Sequence, residues 1–394
     1  MNFLSIMDEH VENYGEIPSV LLSGKDQLTK ERMIQRWLDA IQQDNSPHIV
    51  IDMSKMRSVA EIITKSGVTV GAIIPGNNVF SMFDGDRIES EDRLKISMSN
   101  SGWNEEKKDK AIAYLNLLQH IYKMEYGENG KINLQLIAMY SAPKVVEYKM
   151  NQLVNAGILD FEEQLNILGR YSELSSVAPD IENLLISHST VSGITMGKKI
   201  RLADMINNKV LYVHLGRVKD VVSKKTILEM VSNMVMDYVQ AFVSKGMEVR
   251  KPYVTVYSRG NKADSVLGKF FENIHEFSQI LFISDNVFAI DNYSDISQCF
   301  PMRIYSRHDT MEGCEKVEKC FGNIYVRKKT YSSARDMHYK SRGFLDRILG
   351  TDRVLTETIS DQRPEAKYRK EDIAVMPEGY CILSYAGRDF IACI

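Results

Sequence analysis

Apolar residues fall along this chain in three regimes. From residue 1 to about 95, short apolar runs alternate with polar stretches of helical period: 19–23, then 30–43, then 48–52, then 71–74. Strands separated by helical patterns predict parallel βαβ units. From 104 to 187 the strand signal nearly vanishes. Helical periodicity runs through 110–124, 131–140, 144–156 and 161–171, with breaks at Gly127, Gly130, Pro143 and Gly157, which predicts an all-helical module. Strands then return at 210–215, 253–257, 280–283, 302–305 and 323–327. Between the first two of these, residues 223–244 form a long helix apolar on most faces, as expected of a helix buried beside a sheet.

Length adds that 394 residues exceed one simple core, so a large α/β domain with a smaller inserted or appended one is expected. No run of about 18 apolar residues occurs, so no transmembrane segment is expected. Residues 1–14 are acidic and lack the basic start and apolar centre of a secretory signal. Cys299, Cys314, Cys320, Cys381 and Cys393 are an odd set without a C-x-x-C pair, which favours reduced thiols and a cytoplasmic location. His188, His214, His275, His308 and His338 share no metal-ligand spacing, so no metal site is assigned. Without a G-x-S-x-G or H-E-x-x-H stretch, no catalytic residue is assigned either.

The richest segment is V-L-L-S-G-K-D-Q-L-T-K-E at 20–31, a strand, a loop and a helix start. Against the phosphate-binding frame G-x-x-x-x-G-K-[ST], Gly24 and Lys30 keep their spacing, whereas Thr29 replaces the second glycine and Glu31 replaces the hydroxyl residue. In a working loop, backbone N–H groups curl around the phosphates, the lysine neutralises their charge and the hydroxyl holds magnesium. Glu31 would set a carboxylate beside a triphosphate, where like charges about 4 Å apart repel by roughly 4 kcal/mol at an effective dielectric of about 20. Magnesium could bridge them, so binding would be weakened rather than excluded. The competing reading is a plain helix start with Asp26 or Thr29 as N-cap.

The order of the three regimes resembles the TraG/TraD type of type IV secretion (conjugation) coupling protein, within the FtsK–HerA superfamily of P-loop ATPases. The phosphate-loop frame is followed by a strand ending in aspartate, I-V-I-D at 49–52, and then by V-F-S-M-F-D-G at 79–85, similar to the segment ahead of that family's all-α domain. K-V-L-Y-V-H-L at 209–215 with the helix after it, M-R-I-Y-S-R-H-D at 302–309, E-K-V-E-K-C-F-G at 315–322 and the tail at 368–388 fit the family's later elements. The resemblance implies an α/β fold with a RecA-like, P-loop NTPase-type central sheet flanked by helices. Residues 1–98 and 188–394 would form the discontinuous nucleotide-binding-type domain, and 99–187 an inserted all-helical domain.

The departures from the family are equally specific. Its Walker B strand ends in Asp-Glu, whereas the matching strand at 253–257 ends in Ser258-Arg259. The glutamine after its next strand is replaced by Ser284-Asp285. The membrane-spanning helices that commonly begin coupling proteins are missing as well. Arg259 is either a solvated loop residue or a charge compensating Glu31, and Asp264 or Asp285 could stand in for a lost acid. The implied function is a degenerate, non-hydrolysing coupling-protein-like subunit that is structural or recruits substrate in a type IV secretion or conjugation assembly. The alternative is an active ATP-driven DNA or protein translocase, and ATP with magnesium is implied only under that alternative.

The expected partners are proteins of such an assembly, with a homo- or hetero-oligomeric ring as one arrangement. A formal net charge of −3 argues against a dedicated nucleic-acid binder. Locally, Arg327, Lys328, Lys329, Arg335, Lys340, Arg342 and Arg347 are interleaved with Tyr325, Tyr331, Tyr339 and Phe344. That stretch is either a solvated face or a contact for a phosphate backbone or an acidic surface, so DNA stays open as a partner.

Overall fold

The apolar runs of the sequence become the strands of one sheet. The computed structural model describes residues 3–44, 46–54, 59–65, 70–73, 87–127, 134–190, 210–247, 250–326, 329–334, 354–359 and 363–394. Strands β1 (Val20–Ser23), β2 (His48–Asp52), β3 (Val70–Ile73), β4 (Val210–His214), β5 (Tyr253–Ser258), β6 (Gln279–Ser284) and β7 (Met302–Tyr305) all run parallel to one another. With four short strands of a second unit numbered β8 to β11, the hairpin β12 (Tyr380–Tyr385) and β13 (Arg388–Cys393) adds antiparallel to β7. The resulting order is β13-β12-β7-β1-β6-β5-β2-β4-β3, with β1 in the interior of the sheet.

Alternation along each strand feeds two cores, which is why these runs lack a polar face. Leu21, Ile49, Ile51, Val254, Val256 and Phe282 face one way and pack with the helices Val221–Val243 and Val266–Ile274. Phe271 of the second helix lies 4.8 Å from Phe282 and 5.2 Å from Phe300, ring centre to ring centre. Val20, Leu22, Val50, Leu281 and Ile304 face the other way, against Met33, Trp37 and Leu38 of the helix Gln27–Asp44. Among the described residues from 87 to 190 every regular element is helical, including Arg87–Asn100, Glu105–Tyr126, Pro143–Asn155 and Phe161–Leu174. Asn104 and Asp160 start two of these helices by accepting from the N–H groups of Lys107 at 2.9 Å and Glu163 at 2.7 Å. Asn100 ties this segment to the long helix by donating to Glu229 at 2.6 Å.

The chain divides into two compact units, residues 1–306 with 378–394, and residues 307–377. The second contains the helices Met311–Phe321 and Lys370–Ala374 and two antiparallel pairs. In one pair β8 (Asn323–Val326) lies beside β11 (Arg363–Ala366), and in the other β9 (Lys329–Ala334) lies beside β10 (Val354–Ile359). Its two helices are joined by Lys370 and Glu315, 2.7 Å apart. Among the described residues no helix is long and apolar enough to cross a membrane.

One buried histidine makes the fold sensitive to acid. His48 opens β2 at 1% exposure, its Nε2 2.8 Å from Thr255 Oγ1, and burial holds its pKa at about 3 instead of 6.5. Below about pH 6.5 the unfolded chain therefore binds a proton that the folded chain refuses. Stability falls as pH drops from 6.5 toward 3, by about 2 kcal/mol at about pH 5. His48→Gln keeps an amide for Thr255 and is expected to flatten that acid limb in urea unfolding followed against pH. Identical acid limbs in the two proteins would refute the assignment.

Candidate functional site

The C-terminal ends of β1, β6 and β5 lie side by side, and their last residues, Ser23, Ser284 and Ser258, form one register row. All three are fully buried. The loops leaving these strands are stapled to each other. The N–H groups of Gly24, Asp285 and Ser306 donate to the carbonyls of Ser284, Ser258 and Ser23, at 2.9, 3.1 and 2.9 Å. Ser23 Oγ accepts from Val287 N–H at 3.2 Å. In open α/β sheets this edge is where ligands bind, so the chemistry of these loops decides what the site can do.

The loop after β1 is short. Its helix begins at Gln27, leaving only Gly24, Lys25 and Asp26 between strand and helix. The eight-residue frame therefore does not form an extended loop; Thr29 and Lys30 lie in the first helical turn, both buried. Gly24 holds a φ of +138°, which lets the chain leave the strand sharply. Asp26 explains the early helix start. Its carboxylate accepts from Leu28 N–H at 3.2 Å, from the Thr29 hydroxyl at 2.5 Å and from Gly379 N–H at 2.7 Å. At 2% exposure it occupies the positive end of the helix, the position a bound anion uses in other helices.

Lys30 is also engaged. Its ammonium forms an ion pair with Asp285, which follows β6, and the side chains of the two are 4% and 18% exposed. The Tyr257 hydroxyl donates to the same carboxylate at 3.1 Å, and the Lys30 ammonium lies 5.6 Å from the centre of the Tyr257 ring. Glu31 is exposed on the helix and accepts from Gln27 at 3.0 Å.

At the end of β5, Ser258 donates to Asp264 at 2.5 Å and accepts from Gly260 N–H at 2.9 Å. Lys224 approaches the other Asp264 oxygen at 4.0 Å. Burial pushes the Asp264 carboxyl above its ordinary value, and the Ser258 hydrogen bond and the Lys224 charge partly offset this. Gly260 has a φ of +72°, and a Cβ there would stand 2.0 Å from the Asn286 carbonyl, so the loops after β5 and β6 touch through a position that takes no side chain. Arg259 is exposed. The acid that ends β2, Asp52, is fully buried and accepts from Ser54 N–H, the Ser54 hydroxyl and the Tyr212 hydroxyl at 2.8, 2.6 and 2.7 Å.

Of the residues singled out in the sequence, the structure brings Gly24, Thr29, Lys30, Ser258, Asp264 and Asp285 to one edge of the sheet. It places Glu31 and Arg259 on the surface there. Lys329 opens β9, whereas Arg327, Lys328, Lys340 and Arg342, like the segment at 79–85, lie outside the described residues. Asp26 as an internal anion, Tyr257 and Lys224 join the site from the structure; the cap preference of aspartate was the one sequence signal pointing to any of them. Among the described residues no group of three or more His, Cys, Asp or Glu side chains could hold a metal ion.

No protein-family profile matches the sequence, and neither does any curated protein sequence. Solved structures do match in fold. The bacterial conjugative coupling protein TrwBdeltaN70, in an unbound monoclinic form, is 12% identical over 95% of this chain and 83% of its own, with a TM-score of 0.51. The plasmid coupling protein TrwB in complex with ADP and Mg2+ is 11% identical over 95% of this chain and 84% of its own, with a TM-score of 0.50. At that identity the likeness carries the fold alone, a RecA-like sheet. ATP and magnesium, which such a fold implies, do not fit the residues present. The helix end is taken by Asp26, the lysine is paired with Asp285, and the β5 tip offers Ser258 where an acid pair would hold the ion.

Proposed function

We propose that this chain is a non-hydrolysing relative of the coupling-protein ATPases, acting as a structural or substrate-recruiting subunit of a type IV secretion or conjugation assembly on the cytoplasmic side. The observation that carries the reading is the Asp26 carboxylate seated on the N-terminus of the helix Gln27–Asp44, with Lys30 neutralised by Asp285 beside it. A triphosphate entering there would have to displace a buried carboxylate and break an ion pair before gaining any contact, so the site opposes the ligand electrostatically. The fold likeness to two coupling-protein structures supports the family, and an intact sheet supports a role that depends on shape. On this reading residues 99–187 form the inserted helical domain that presents a surface to protein partners, and the sheet domain joins a homo- or hetero-oligomeric ring.

The test is titration of the purified chain with a fluorescent ATP analogue, with and without magnesium, followed by phosphate release with and without DNA. The expected result is no saturable, magnesium-dependent binding and no release, with Lys30→Ala indistinguishable from the parent in both assays. Saturable binding that Lys30→Ala abolishes would return the chain to the hydrolysing motors.

A further inference from the structure

A cavity of about 560 Å³ opens on the sheet near the start of β7, at the edge opposite the strand tips, between the first helix, Phe3–Tyr14, and the β12–β13 turn. Its size is that of a small-molecule pocket. Arg303 of β7 lines it and forms no ion pair among the described residues, and its buried Nε has no hydrogen-bond partner. A buried guanidinium N–H without an acceptor costs free energy that a bound anion would recover.

Aromatic rings line the same cavity. The His10 ring lies 4.6 Å from that of Tyr14 at an interplanar angle of 34° and 5.5 Å from that of Tyr385 at 70°. His10 Nδ1 and the Tyr385 hydroxyl share a hydrogen bond of 2.5 Å. Burial lowers the His10 pKa, with the Glu16 charge partly opposing, and Glu16 is itself paired with Lys251 at 3.0 Å. Of the side chains lining the cavity, His10 and Arg303 are the basic ones, and burial works against charge on His10.

Two small residues of a strained turn complete the lining. Ala386 and Gly387 have φ of +49° and +75°. Two successive positive φ values in a two-residue hairpin favour Asn-Gly or Gly-Gly, so alanine is held there against its preference. Strain of this kind clusters at ligand-binding sites.

We infer that this cavity binds a small organic anion bearing a flat ring, with its carboxylate or phosphate on Arg303 and its ring against Tyr14 and Tyr385. The inference is independent of the nucleotide reading above, because the cavity lies at the other end of the strands from Lys30.

The full chain would be titrated calorimetrically with AMP and with 4-hydroxybenzoate, the phosphate-bearing and carboxylate-bearing ring anions. Adenosine serves as the ring without charge and inorganic phosphate as the charge without ring. The expected result is saturable binding of at least one ring anion with a Kd below about 1 mM, roughly tenfold or more tighter than either control. Which anion binds identifies the head group. Arg303→Gln and Ser297→Phe are each expected to weaken it about tenfold or more, while Arg259→Gln, an exposed change at the strand tips, leaves it unchanged. Ser297 is half-buried on the short helix Tyr293–Gln298 at the cavity wall, so its replacement fills the space without altering the sheet. The inference is overturned if neither ring anion binds saturably, if inorganic phosphate binds as tightly, if binding survives Ser297→Phe, or if it is lost in Arg259→Gln.

Discussion

Asp285→Ala is expected to destabilise the folded chain by about 3 kcal/mol, the largest loss from any single change at the strand tips. Lys30 is 4% exposed at its side chain, so deleting its carboxylate partner strands a buried ammonium. The Tyr257 hydroxyl loses its acceptor in the same step. Asp285 is 18% exposed, which places the estimate at the lower end of what breaking a buried pair costs. The double variant Lys30→Met with Asp285→Leu removes both charges and is expected to recover most of the loss. Urea unfolding of the single and double variants measures both quantities. A single-variant loss below about 1 kcal/mol would mean that the pair is effectively solvated and that Lys30 is available to other anions.

Asp26→Ala is expected to cost nearly as much, for a different reason. Three donors converge on this carboxylate: the Leu28 and Gly379 N–H groups and the Thr29 hydroxyl. Loss of the helix cap contributes about 1 kcal/mol, and two further buried donors left unsatisfied contribute about 1 kcal/mol each, about 3 kcal/mol together. Asp26→Asn keeps an acceptor and is expected to lose only about 1 kcal/mol. Amide hydrogen exchange provides the local readout, because Gly379 should lose protection in Asp26→Ala well before the sheet does. If the Gly379 amide exchanges at the parent rate, the convergence on Asp26 carries no energy.

Much of the sheet was legible because each buried strand is a short apolar run bounded by turn residues. Val210 to His214 and Met302 to Tyr305 fall where the pattern puts them, and the long helix runs Val221–Val243 against an expected 223–244. Strand order was not legible, since nothing in residues 20–23 announces that β6 and β7, some 260 positions later, will flank them. The same distance hid the fate of Lys30. Its spacing from Gly24 matched a phosphate loop, but its partner lies 255 positions away, and only the fold reveals the ion pair. The helix start was a choice between Asp26 and Thr29 as cap, and the structure takes Asp26, because its carboxylate can satisfy the chain at Gly379 as well as its own first turn. Of the compact unit at 307–377 the apolar pattern announced a single strand, 323–327, which the structure gives as Asn323–Val326, exposed at 323–325 and paired with β11 from some 40 positions later.

The bond from Gly379 to Asp26 spans 353 positions. During synthesis, the long helix and all seven parallel strands of the sheet can emerge while the Asp26 carboxylate still lacks its last donor. The growing chain thus carries an incompletely satisfied anion at the head of its first buried helix until residue 379 leaves the ribosome. At elongation rates of roughly 5–20 residues per second, that interval lasts on the order of tens of seconds. A factor that shields the first strand and its helix over that interval would act on this chain long before any partner met its finished surface.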